Sequence, residues 1–83
     1  MNEAFERRVF SILQKDLGVD PAILDLDKPI RDQISLDSMQ FVSLIARIEI
    51  ALDIELPVSI MNVATLRDFL DRIDMAARDH GKL

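Results

Sequence analysis

The sequence predicts an all-α fold: a small four-helix bundle of three longer helices and one short helix, with a long loop between the first two. Apolar residues recur at helical spacing in three long stretches, interrupted by Gly18, by a segment carrying Pro21 and Pro29, and by Pro57. No stretch shows a trustworthy strand alternation. The apolar residues are mostly Ile, Leu, Val, Met and Ala, with four Phe and no Trp or Tyr, which suits helix packing. With 83 residues the chain has room for one domain burying roughly 60–65% of its unfolded surface, so a deep enzyme cleft is not expected. A composition 49% hydrophobic and 30% charged places it among folded rather than disordered chains.

The first helix covers residues 2–17. Phe5, Val9, Ile12, Leu13 and Leu17 form its apolar stripe, Glu3 and Glu6 suit its positive end and Lys15 its negative end, and Gly18 is the expected stop. Residues 18–36 then carry two prolines and Asp20, Asp25, Asp27 and Asp32, which break any long helix. Val19, Ile23, Leu24, Leu26, Ile30, Ile34 and Leu36 run through the same segment. It is therefore expected to lie across the bundle, with one short helical turn at 21–24. The aspartates lack calcium-loop spacing and its glycine, so no metal site is assigned.

The second long helix, from Ser38 to about Leu52, carries the most information. Asp37 is a good N-cap, and Gln40 can reach back to it, as in a capping box. Ser38 then falls in the first turn, where backbone N–H groups lack helical partners and negative charge is favoured. Ser38 is either a simple capping-turn residue or a hydroxyl placed to carry a phosphate. Phe41, Leu44, Ile45, Ile48 and Leu52 fall on one side as a core stripe, while Met39, Val42, Ala46 and Ile50 gather on nearly the opposite side. A second apolar stripe in so small a domain points to a partner-facing surface. After Pro57, residues 58–61 form a short turn ending near Asn62. Thr65 caps the last helix, whose buried stripe is Leu66, Phe69, Leu70, Ile73 and Ala77. The chain reads as one domain over residues 1–83, with an ordered core over 2–77 and a frayed tail over 78–83. His80 falls in that tail and receives no catalytic role.

At this length and in this order, three motifs resemble those of the acyl carrier protein family, or more broadly of phosphopantetheine carrier domains. They are Leu36-Asp37-Ser38-Met39, the helix ending Glu49-Ile50-Ala51-Leu52-Asp53-Ile54-Glu55-Leu56-Pro57, and Ala64-Thr65-Leu66-Arg67-Asp68-Phe69-Leu70. The resemblance implies that Ser38, flanked by Asp37, receives 4′-phosphopantetheine from coenzyme A through a separate magnesium-dependent phosphopantetheinyl transferase. The terminal thiol of that arm would then hold acyl or aminoacyl groups as thioesters, in a chain with no cysteine of its own. It further implies a non-catalytic protein that presents cargo to acyl- or aminoacyl-loading and acyl-processing enzymes. Docking would use Met39, Val42, Ala46, Arg47, Glu49 and Ile50. An acyl pocket would draw on Ile45, Leu56, Ile60 and Met61, which read equally well as ordinary core.

Two features depart from the family pattern. The second helix is not strongly acidic, since Gln40, Ser43, Arg47 and Ile50 stand where acidic or neutral residues are common, and Val58-Ser59-Ile60-Met61-Asn62 replaces an acid-rich segment. Docking should then rely on the apolar stripe more than on charge. The glycine common a few positions before the serine is replaced by the run Gln33-Ile34-Ser35-Leu36.

A specialised carrier in lipid, fatty-acid-derived or polyketide biosynthesis is the reading these residues favour. A stand-alone aminoacyl or peptidyl carrier is the near alternative, and a non-carrier helical interaction module is the distant one. A Ser38 hydrolase lacks a base, since His80 is the only histidine. The net charge of −5 argues against nucleic acid and anionic membrane as partners. With no signal-like N-terminus and no membrane-length apolar segment, a monomeric cytoplasmic protein is expected.

Overall fold

The computed structural model describes residues 3–34 and 36–81. Four α-helices follow in order: α1 (Glu3–Leu17), α2 (Ile30–Gln33), α3 (Ser38–Leu52) and α4 (Leu66–Asp79), with 3₁₀ turns at Pro21–Ile23 and Val58–Asn62. No strand occurs among the described residues, and the all-α bundle expected from the sequence is the observed fold. No helix among them is long and apolar enough to cross a membrane.

The core is where the helical stripes meet. Phe5, Val9 and Leu13 of α1, all five expected residues of α3, and Leu66, Phe69, Leu70, Ile73 and Ala77 of α4 are buried. Ile12 and Leu17 sit at its margin with Phe10. Phe41 and Phe69 meet edge to face, with ring centroids 5.9 Å apart, an arrangement aromatic quadrupoles favour. Polar contacts also bind α1 to α3. Arg8 Nη2 donates to the Ala51 carbonyl at 2.6 Å, satisfying one of the carbonyls a helix end leaves unpaired, and Arg47 Nη1 donates to Asp16 Oδ1 at 3.4 Å.

The segment between α1 and α3 is more structured than its composition suggests, because its aspartates form turns. Asp20 Oδ1 accepts from Ala22 N at 3.0 Å, at the start of the first 3₁₀ turn, and Asp25 Oδ1 accepts from Asp27 N at 2.9 Å. The sequence reading did not contain α2. This single turn forms after Pro29, buries Ile30 and leads to buried Ile34. Gln33 stitches it to the preceding loop: its side-chain oxygen accepts from Asp25 N, while Nε2 donates to the carbonyls of Asp25 at 2.7 Å and Lys28 at 3.0 Å. The loop in turn meets the start of α4. Leu66 N donates to Lys28 O at 2.9 Å and Arg67 N to Leu26 O at 2.8 Å, so the loop supplies acceptors for first-turn amides that a helix cannot pair internally. Arg67 Nε also reaches Asp27 Oδ1 at 3.1 Å. Thr65 Oγ1 accepts from Asp68 N at 3.1 Å, the cap expected of it.

At its other end α4 continues to Asp79, beyond the expected stop at Ala77. His80 explains the extension. Its Nδ1 faces the Ala76 carbonyl at 2.7 Å and its Nε2 lies 3.3 Å from Glu55 N, so the ring joins the helix end to the turn after α3. Asn2, Lys82 and Leu83 lie outside the described residues. Within α4, Asp74 is buried: Oδ2 accepts from Arg78 Nε at 3.0 Å, while Oδ1 has no partner among the described residues.

Candidate functional site

The site is built on the N-terminus of α3. Asp37 stands in an extended conformation (φ −82°, ψ 176°) as the N-cap. Its Oδ1 accepts from Gln40 N at 2.7 Å, and Gln40 Oε1 accepts from Asp37 N at 3.0 Å, completing the reciprocal capping box. Ser38 is the first residue of the helix and is exposed. The box uses the Gln40 amide, which leaves the Ser38 and Met39 amides of the first turn unpaired among the described residues. A hydroxyl beside first-turn N–H groups that lack intrahelical partners, at the positive end of a fifteen-residue helix, is a favourable place for an esterified phosphate. The neighbouring carboxylate of Asp37 is already engaged by the cap, so the residues present fit such a group.

The supports of this position come from two directions. One turn into α3, Phe41 is buried, and the Arg31 guanidinium of α2 lies 4.5 Å from its ring centroid, a cation–π contact that holds α2 against the helix carrying Ser38. On the chain leading in, Ile34 is buried and extended (φ −127°, ψ 126°). This is ordinary backbone for a β-branched residue, so the approach to Ser38 needs no glycine at that position. Ser35 lies outside the described residues.

Beyond Ser38, α3 presents an apolar surface. Met39 and Ile50 are each 82% exposed, Val42 is 55% exposed, and Ala46 is exposed beside them. Val58, at the start of the second 3₁₀ turn, is exposed as well. Two residues grouped with this stripe in the sequence reading are otherwise engaged. Arg47 pairs with Asp16. Glu49 is half-buried and turns its carboxylate away from display, with Oε2 accepting from Leu56 N at 2.9 Å. The four residues named for an acyl pocket divide between two environments. Ile45 and Ile60 are buried in the core, and Leu56 and Met61 are half-buried against it. Of the four, only Leu56 lines the groove of about 610 Å³ that runs along α4.

Sequence reasoning missed Arg31, Gln33 and the tie between His80 and Glu55. Each is a surface-type polar residue whose partner lies outside its own helix, so no periodicity marks it. The signal available for Gln33 was its place in the short stretch bracketed by Ile30 and Ile34, which both needed burial.

A search of curated proteins found no match to this chain. A family model described as the phosphopantetheine attachment site matches residues 7–73, a span that takes in α2, α3 and most of α1. Carrier domains of this kind generally work with phosphopantetheinyl transferases and biosynthetic enzymes, and are generally carriers of substrate rather than catalysts. The exposed serine at a capped helix start thus lies within a chain that belongs to the phosphopantetheine-binding carrier family, whose domain is the attachment site of 4′-phosphopantetheine.

Proposed function

We propose that Ser38 is the residue that takes the arm, and that the chain is a non-catalytic acyl carrier in lipid, fatty-acid-derived or polyketide biosynthesis. The observation that carries the attachment is the placement of the hydroxyl. Ser11 and Ser43 lie inside helices, Ser59 lies in the five-residue 3₁₀ turn, and Thr65 Oγ1 is used as a cap. Among the described hydroxyls, Ser38 alone is exposed in the first turn of a long helix. When attached, the arm supplies a terminal thiol that holds cargo as a thioester, chemistry this cysteine-free chain lacks.

The chain's own residues do the positioning. The Asp37–Gln40 box fixes the start of α3, the unpaired first-turn amides favour negative charge on Ser38, and Phe41 and Arg31 hold the turn beneath it. Met39, Val42, Ala46 and Ile50 form the surface on which the transferase and the acyl-processing enzymes dock, by apolar burial more than by charge steering. That same apolar surface supports the second reading, an aminoacyl or peptidyl carrier. A monomer working in the cytoplasm fits both.

The test is intact-protein mass after incubation with coenzyme A, magnesium and a promiscuous phosphopantetheinyl transferase. The wild type should gain one arm. Ser38→Ala, with an unchanged circular dichroism spectrum, should gain none. Uptake by Ser38→Ala would refute the assignment.

A further inference from the structure

A concavity of about 610 Å³ lies between the turn after α3 and one face of α4, and of the residues named for attachment, docking or an acyl pocket only Leu56 lines it. Its apolar lining is Leu56, Pro57, Met75 and Ala76. Met75 is 63% exposed although it stands in the middle of a helix that buries its other large apolar residues. Asp71 precedes it by one helical turn and Asp79 follows it by one, so acid, methionine and acid share a stripe. Glu55 adds a third carboxylate from the facing turn.

The charges along the groove do not cancel. Arg72 is matched by Asp68, 3.5 Å away. Both ring nitrogens of His80 are engaged, by the Ala76 carbonyl and the Glu55 amide. Among the described residues no ion pair engages Glu55, Asp71 or Asp79. An apolar lining with three carboxylates that no ion pair engages among the described residues repels nucleic acid and anionic lipid, and it complements a segment that is both basic and apolar. Met75 supplies the adaptable contact that such segments use.

We infer that this groove is a second docking surface, and that its occupant is a basic, amphipathic segment of a partner protein. It is separate from the Met39, Val42, Ala46 and Ile50 stripe, none of which lines it. Ser38 and Glu55 flank opposite ends of α3, roughly 20 Å apart at 1.5 Å per residue. A partner held in the groove leaves Ser38 and the apolar stripe free, and tethering of this kind raises the effective concentration of the carrier at the enzyme it serves. The inference does not depend on where the arm is attached.

The experiment titrates the full-length, ¹⁵N-labelled chain with an amidated helical peptide of Lys, Leu and Ala, following backbone amide shifts at two salt concentrations. The expected result is shifts concentrated at residues 54–57 and 71–80, with weaker binding at higher salt. Asp71→Asn combined with Asp79→Asn should weaken binding about tenfold, as two rim charge pairs imply. Asp32→Asn, an exposed acid on α2, should leave binding unchanged. Met75→Ala should weaken binding while leaving its salt dependence intact. Ser38→Ala should bind as the wild type does, which keeps this outcome independent of arm attachment. Absence of shifts at millimolar peptide, shifts centred on the apolar stripe of α3, or equal weakening by Asp32→Asn would overturn the proposal.

Discussion

Glu49 provides the sharpest test of the structural argument, because the sequence groups it with the docking residues while the structure uses it to hold a turn. Its Oε2 accepts from Leu56 N at 2.9 Å, and its backbone carbonyl accepts from the amides of Asp53 and Ile54. A hydrogen bond to a charged group contributes about 1.5–3 kcal/mol, and the half-buried position argues for the lower end. Against that stands a carboxylate in the last turn of α3, which the helix dipole disfavours by about 0.3–1 kcal/mol. Glu49→Ala should therefore cost about 1 kcal/mol, lowering the melting temperature by about 4–8 °C in a domain of this size. Glu49→Gln keeps an acceptor and relieves the dipole conflict, so it should stay within about 0.5 kcal/mol of the wild type. Thermal unfolding gives the magnitude, and hydrogen exchange at the Leu56 amide gives the location. If Glu49→Ala melts with the wild type and Leu56 exchanges at its normal rate, the carboxylate is not a latch and the docking reading regains its claim on it.

Three other perturbations test separate parts of the fold. Phe41→Ala should cost about 3–5 kcal/mol, a large share of the total stability of about 5–15 kcal/mol usual for a small domain. Combined with Phe69→Ala it should cost less than the sum, because the two rings share one contact; denaturant titration of the three variants measures this. Gln33→Ala removes the four side-chain bonds to Asp25, Lys28 and Pro29 that tie α2 to the loop and should cost about 1–2 kcal/mol. Faster exchange should appear first at the Asp25 amide and then at Leu66 and Arg67, whose acceptors lie on that loop. Gly18 adopts φ +67° with nothing within 4 Å of an added Cβ, so Gly18→Ala should cost about 1 kcal/mol of backbone strain alone. Gly18→Asn should recover part of it, as read by thermal unfolding.

The sequence by itself determined the parts of this protein whose physics is local. The α3 cap joins residues three apart, Asp37 and Gln40, and the Thr65 cap of α4 has the same span. The core stripes of α3 and α4 repeat with the helical period, so burial could be assigned from spacing. The same period made the second apolar face of α3 legible, and the cap placed Ser38 in the first turn, before any fold was known. Tertiary structure alone decided which polar residues pair beyond their own helix. Gln33 meets Asp25 eight residues back, His80 meets Glu55 across 25 residues, and Arg8 meets Ala51 across 43. In sequence such residues are indistinguishable from solvated surface. α2 was hidden for a related reason, since a four-residue helix is too short to show a period and exists because Ile30 and Ile34 reach the core from either end of it. Glu49 shows the consequence most directly: its spacing is compatible with an exposed docking acid, and only the return of the chain at Leu56 gives its carboxylate a structural partner.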